Sequence, residues 1–176
     1  MISQVEVLTE VISDPVKFAE NLNAIHLRSY QKDVLLAVVD SVHHQRGLSF
    51  VVMFPRQSGK NEVQAHLEAY LLALCMLRGA EMVKVSPTWK PQSLTAMRRL
   101  ERILRANLAV QRRWVKESGY IYRIHKASIS FLSAAPEANI VGATASTLLE
   151  VDEAQDVLAD KFDREVAPMA ASTNAT

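Results

Sequence analysis

The chain has 176 residues, 49% of them hydrophobic and 22% charged, and 20 basic against 19 acidic side chains leave a net charge of +1. That is ordinary globular composition, enough for one domain with its own core, and it excludes disordered, collagenous and low-complexity classes. A single cysteine, Cys75, excludes an intramolecular disulfide framework, and five histidines beside it argue against a zinc centre.

Met1 to Asp14 carries Glu6 and Glu10 and has neither the basic start nor the apolar stretch of a signal peptide. No apolar run reaches the about 20 residues of a membrane span. The expectation is a cytoplasmic chain with no membrane association. Ser13-Asp14-Pro15 predicts a helix start, with a capping side chain followed by proline in the first turn, running to about Asn21. Ser29 to Arg46 has Val34, Leu35, Val38, Val39 and Val42 at helical spacing and ends at Gly47. Leu48 to Phe54 is a short apolar run that predicts a buried parallel strand. Pro55 to Gly59 is a turn, and Asn61 to Leu77 a long helix closed by Gly79.

Met82 to Ser86 predicts a second strand. A helix from Pro91 to about Lys116 follows, then a hairpin of Tyr120–Ile124 and Ser128–Leu132. Ser146 to Val151 predicts another buried strand, with a helix from about Glu153. Strands alternating with helices imply an α/β domain with a mostly parallel sheet. Met53 and Met97 are expected to pack, Cys75 to be a buried helix residue, and His43 and His44 to lie on the surface.

Phe54-Pro-Arg-Gln-Ser-Gly-Lys-Asn61 lies between a predicted strand and a predicted helix, the setting of a phosphate-binding P-loop, or Walker A motif. Backbone N–H groups of Pro55-to-Asn61 loop residues Gln57, Ser58, Gly59 and Lys60 can curl around a phosphate, and the helix N-terminus adds its positive end. Lys60 can reach the outer phosphates. The full pattern is departed from twice. Phe54 stands where the first glycine belongs, and Asn61 replaces the Ser or Thr that ligates magnesium, offering only a carbonyl oxygen.

Leu148 to Asp156 is an apolar strand that ends in two adjacent carboxylates, a Walker B pattern. Nucleotide hydrolysis needs such a pair: Asp152 to hold Mg²⁺ and Glu153 to polarise the attacking water. Acids also favour a helix start, so the pair alone is equally consistent with that. Its order after Lys60, at the end of a parallel strand, favours an ATPase. Glu150, inside the strand, must face outward or find a partner.

Arg56-Gln-Ser-Gly-Lys60 followed by Val151-Asp-Glu-Ala-Gln-Asp156 resembles the ATPase domain of the large terminase subunit of tailed bacteriophages, the DNA-packaging motor. The resemblance spans about residues 27 to 163. It implies a helical lead-in over 1–26 and a P-loop NTPase domain of the RecA/ASCE type over 27–176, with a mostly parallel sheet flanked by helices. By the resemblance Arg56 contacts or senses the γ phosphate, Gln31 reads the adenine edge, and Pro87-Thr88 links the nucleotide site to DNA. It further implies ATP and Mg²⁺, double-stranded DNA, portal protein and small terminase subunit as partners, a homo-oligomeric ring, and a place in the host cytoplasm, docked on the procapsid. Gly142-Ala-Thr144 offers a turn before the acidic strand.

Between Trp89 and Lys116, eight basic residues face Glu101 alone, whereas Glu150 to Glu165 holds seven acids and two bases. Arg98, Arg102 and Arg105 share one helical stripe, with Arg99 beside it. The stripe is consistent with tracking DNA phosphates, with a solvated face, or with a subunit contact that places an arginine in a neighbour's ATP site.

The resemblance also implies more chain: a coupling strand and a nuclease domain beyond Thr176. The expectation is a sheet incomplete at its C-terminal end, slow turnover, and no nuclease activity in this chain. Two other readings share the motifs, a superfamily 2 helicase-like ATPase and a truncated remnant with weak or no catalysis.

Overall fold

The structure, a computed structural model, describes residues 10–176. Residues 1–9, which carry most of the expected leaderless N-terminus and part of the lead-in, lie outside the described residues.

Helix α1, Pro15–Asn23, begins as expected: Asp14 caps it, its Oδ1 accepting from Val16 N at 2.8 Å and Lys17 N at 3.1 Å. Phe18, Ala19 and Leu22 of α1 join the main core, where Phe18 meets Tyr70 edge-on at 5.3 Å. Helix α2 spans Ser29–His43 and α3 spans Lys60–Cys75. Nearly every side of α3 is buried, Cys75 included, because it lies between the sheet and the other helices. His43 and His44 are exposed, as expected.

The sheet has five strands: β1 Ala80–Ser86, β2 Trp114–Glu117, β3 Ile121–Ile124, β4 Ala127–Ser133 and β5 Leu148–Val151. Their spatial order is β2-β3-β4-β1-β5. Central β1 pairs in parallel with both β4 and β5, while β2–β3 and β3–β4 are antiparallel. The sheet is therefore mixed, half parallel and half a meander, which corrects the mostly parallel expectation. Alternation along β1 sends Val83 and Val85 to one face, against Val166 and Met169 of the short helical turns 159–171. Met82 goes to the other face, with α1 to α3 and with α4, Leu94–Ala106. The domain thus has three layers, with helices on both faces of the sheet. No helix among the described residues is long and apolar enough to cross a membrane.

Three expected elements are corrected. The helix from Pro91 stops at Ala106 instead of reaching Lys116. Asn107, fully buried, takes extended backbone there, bonds Asn23 Oδ1 at 2.6 Å and accepts from Ala109 N at 3.0 Å. Trp114 to Glu117 then becomes the outer strand β2. No helix starts at Glu153, because that residue is left-handed at φ +47 and only a single turn, Ala154–Asp156, follows.

The run 48–54 is not a strand of the sheet. The outer edge of β5 is met instead by the C-terminal residue: Leu149 N donates to Thr176 O at 2.9 Å and Thr176 N to Thr147 O at 3.2 Å. The Thr176 hydroxyl lies 2.8 Å from Ser41 Oγ, which also accepts from Leu48 N at 3.2 Å. Residue 176 thus stands between β5 and the start of the run. Met53, expected to pack, is 86% exposed, whereas Met97 is buried as expected.

Candidate functional site

The turn 55–59 is closed by its own first residue: Pro55 O accepts from Ser58 N at 3.3 Å and from Ser58 Oγ at 2.5 Å. Gly59 is left-handed at φ +83, which favours glycine, and a Cβ there would lie 2.5 Å from Gln31 Nε2 and displace that amide. Lys60 and Asn61 open α3, where the first N–H groups have no acceptor within the helix. Those free donors sit beside the turn, which is the arrangement that receives an oxyanion.

The turn is braced from behind by α2. Tyr30 Oη and Gln31 Nε2 both donate to Ser58 O, at 3.0 and 2.9 Å. Gln31 Oε1 accepts from Arg28 N at 2.9 Å, and Tyr30 stacks edge-on against Phe54 at 5.1 Å. Gln31 is buried, and both ends of its carboxamide are committed to this chain's own backbone. Here it braces the loop from inside.

Lys60 and the two acids converge from distant parts of the chain, Lys60 and Glu153 being 93 residues apart. Lys60 Nζ lies 2.5 Å from Glu153 Oε1 and 3.2 Å from Asp152 Oδ1. Asp152 leaves the end of β5, where its N–H bonds Val85 O at 2.9 Å and its side chain is 5% exposed. Its Oδ1 is buried and faces the Lys60 ammonium at 3.2 Å. The left-handed backbone at Glu153 turns its carboxylate back toward Lys60, and Gln155 Nε2 donates to its second oxygen at 2.7 Å.

Burial works against the Lys60 charge, but the hydrogen bond to Glu153 and the field of Asp152 overcome it and hold its pKa above the ordinary lysine value. The same bond from Lys60, with that from Gln155, holds Glu153 below the usual carboxylate range. Arg56 is exposed and acts on Glu153 through its field alone. Asn61 is half-buried and makes no side-chain hydrogen bond among the described residues.

The arginine stripe is largely neutralised by carboxylates. Arg102 grips both oxygens of Glu62 at 2.7 Å, and Arg99 Nε approaches the same group at 3.3 Å. Arg105 pairs with Glu101 at 2.6 Å and lies 5.7 Å over the Trp114 ring. Arg98 is exposed and has no ion pair among the described residues. Glu62 is held down at about 2 by the His66 imidazole 3.6 Å away, with Arg102 adding to it against the cost of burial. Counting charge along one segment missed Glu62 because it belongs to α3.

Sequence reasoning also missed Tyr30, which is two residues after Arg28 in the same α2 start, and Lys84 and Glu68. Lys84 Nζ lies 2.7 Å from Glu68 Oε1 and 3.2 Å from Glu150 Oε2, all buried. Glu150 thus has the partner that its place in an apolar strand demanded. A charge inside each of two apolar strands was the available signal.

No protein-family model matches the chain, and no curated protein matches it. Among solved structures it is similar to the crystal structure of the HK97 bacteriophage large terminase, with a TM-score of 0.73 over 92% of this chain at 16% sequence identity. At that identity the likeness establishes a shared fold. The chain spans 35% of that structure, about a third of its length.

Proposed function

We propose that this chain is the ATP-hydrolysing motor domain of a large terminase, which drives double-stranded DNA into a viral capsid. The observation that carries the reading is the meeting of Lys60, at the start of α3, with Asp152 and Glu153, at the end of β5, within 2.5 to 3.2 Å. A lysine and two acids so far apart in sequence are brought together by a fold shared with a phage terminase. An ordinary surface pair would not need a glycine at φ +83 or a braced loop beside it.

In this reading the phosphates of ATP lie against the turn 55–59 and the free N–H groups that open α3. Lys60 exchanges Glu153 for the outer phosphates. Glu153, released from Lys60, accepts a proton from the attacking water, as a carboxylate ionised at neutral pH can. Arg56, exposed beside the turn, is free to reach the γ phosphate. The buried Asp152 carboxylate, freed as Lys60 turns to the phosphates, suits a cation, and the unengaged Asn61 carbonyl oxygen is the second candidate. Mg²⁺ bound there would neutralise charge on the outer phosphates. Arg98, with its neighbours Arg99, Arg102 and Arg105, is the proposed contact for DNA or for another subunit. Portal protein, the small terminase subunit and a ring of copies belong to the same proposal.

Phosphate release by the purified chain tests it. Lys60→Ala should weaken ATP binding, since charge-assisted hydrogen bonds are worth about 1.5–3 kcal/mol each. Glu153→Gln should bind ATP and lose turnover, because an amide accepts no proton from water. Parental hydrolysis by Glu153→Gln would remove Glu153 from this role.

A further inference from the structure

Beneath the Lys60 site lies a second set of charges that the proposed chemistry does not use. Lys84 is 2% exposed on central β1, Glu68 is 0% exposed on α3, and Glu150 is 9% exposed on β5. Lys84 and Glu150 are direct partners in the parallel β1–β5 register, so both project toward α3. Lys84 Nζ holds Glu68 Oε1 at 2.7 Å and Glu150 Oε2 at 3.2 Å. Glu68 Oε2 has no hydrogen-bond donor among the described residues.

These three residues join the two elements that carry the candidate site. Glu68 lies eight residues after Lys60 on α3, about 12 Å along the helix. Glu150 lies two residues before Asp152, on the same face of its strand. The helix and strand are therefore tied twice: at the surface by Lys60 with Asp152 and Glu153, and inside by Glu68, Lys84 and Glu150.

Stability does not account for the inner tie. Burying ions costs more than their attraction commonly returns, and apolar residues of the same volume often serve as well or better. Short contacts to a central ammonium do something apolar packing does not: they define a separation and a direction. Two acids and one base leave an excess negative charge. Burial, offset in part by Lys84, pushes the Glu68 carboxyl well above its ordinary range.

We propose that Glu68, Lys84 and Glu150 form a positioning device that sets α3 against β5, so that Lys60 meets Asp152 and Glu153 at the distances observed. Glu68 is the positioning residue that reaches from the helix. Its activity readout rests on the ATPase reading, and its second readout does not.

Glu68→Leu removes only the helix end of the tie and leaves Lys84 and Glu150 as a balanced pair. With Mg²⁺–ATP, this variant should turn over about tenfold more slowly, as misplaced reacting groups do. Its nucleotide affinity should stay within about threefold of the parent, because the turn 55–59 is untouched. Glu68→Gln, whose amide oxygen can still accept from Lys84 Nζ, should restore turnover to within about twofold. Glu68→Met, unbranched and of similar volume, replaces the leucine variant if that chain does not fold.

The second readout needs no nucleotide. A double-mutant cycle on stability, using Lys60→Met and Glu153→Gln, measures the coupling of the outer pair. In the Glu68→Leu background that coupling should fall to about half. If the parent does not hydrolyse ATP, the function reading fails and the cycle still decides the positioning role. Unchanged coupling in Glu68→Leu or Glu68→Met overturns the proposal. So does equal turnover of the leucine and glutamine variants.

Discussion

Two short stretches of this chain look alike as strands and have opposite fates. Leu48 to Phe54 contains no charged residue, yet Val51 is 90% and Met53 86% exposed. Strand β1 contains Glu81 and Lys84, yet Lys84 is 2% and Val85 0% exposed. The more apolar segment is the one left outside. A strand is buried by what pairs on its two edges and packs on its two faces, and its own apolarity only permits that. β1 has β4 and β5 on its edges and Glu68 waiting for its one interior charge. The run 48–54 has α2 on one side and no ladder on either edge.

The largest way to break this contrast is a charge where β1 has no answer for it. Val85→Asp should cost about 4–5 kcal/mol, enough to unfold a domain of this size, as followed by circular dichroism in urea. Chevron or equilibrium data showing a loss below about 1 kcal/mol would mean β1 is not the core strand. Next is the charge already there. Lys84→Ala leaves two buried carboxyls without a cation and should cost about 3–5 kcal/mol.

The contrast can be sharpened on α3. The Glu62 pKa of about 2 lies below its ordinary value of 4.5. Its contribution to stability is therefore complete above about 4.5 and is lost as pH falls toward 2. With 30% of the side chain exposed, screening limits that contribution to about 1–2 kcal/mol. Arg102→Gln should flatten the acid limb of a stability–pH curve without moving the plateau by more than about 1 kcal/mol. The smallest effect belongs to the exposed run. Val51→Asp should change stability by no more than about 0.5 kcal/mol, against the several lost in β1. A large loss there would show that the run pairs with something after all.

Much of this was legible from residues alone. The capped start of α1, the long α3, the β3–β4 hairpin and β5 are where their periodicity and turn residues put them. Glu150 needs a partner on sequence grounds alone, because an unpaired carboxylate in an apolar strand is too costly. What sequence did not show was who supplies the partner. Lys84 and Glu68 are distant in sequence and meet only through the β1–β5 register and the seating of α3. Glu62 was hidden for the same reason, since the arginines it binds lie on another helix. Trp114 to Lys116 falls inside the helix expected from Pro91, and buried Asn107 ends that helix early through its bond to Asn23 of α1. The lysine and the acid pair were named together because motif order is a long-range statement that spacing preserves.

The bond between Lys60 and Glu153 also bears on how the proposed site would empty. A tethered carboxylate competes with every incoming oxyanion for the same ammonium, so the apparent affinity for nucleotide is the intrinsic one reduced by the fraction of sites that are self-occupied. The same competitor, returning to Lys60 once the γ phosphate has left, would speed the discharge of the spent diphosphate. Glu153→Gln, lacking that charge, should hold ADP longer than the parent in a stopped-flow chase with a fluorescent analogue. Equal off-rates would mean that the carboxylate leaves the lysine at no cost and plays no part in clearing the site.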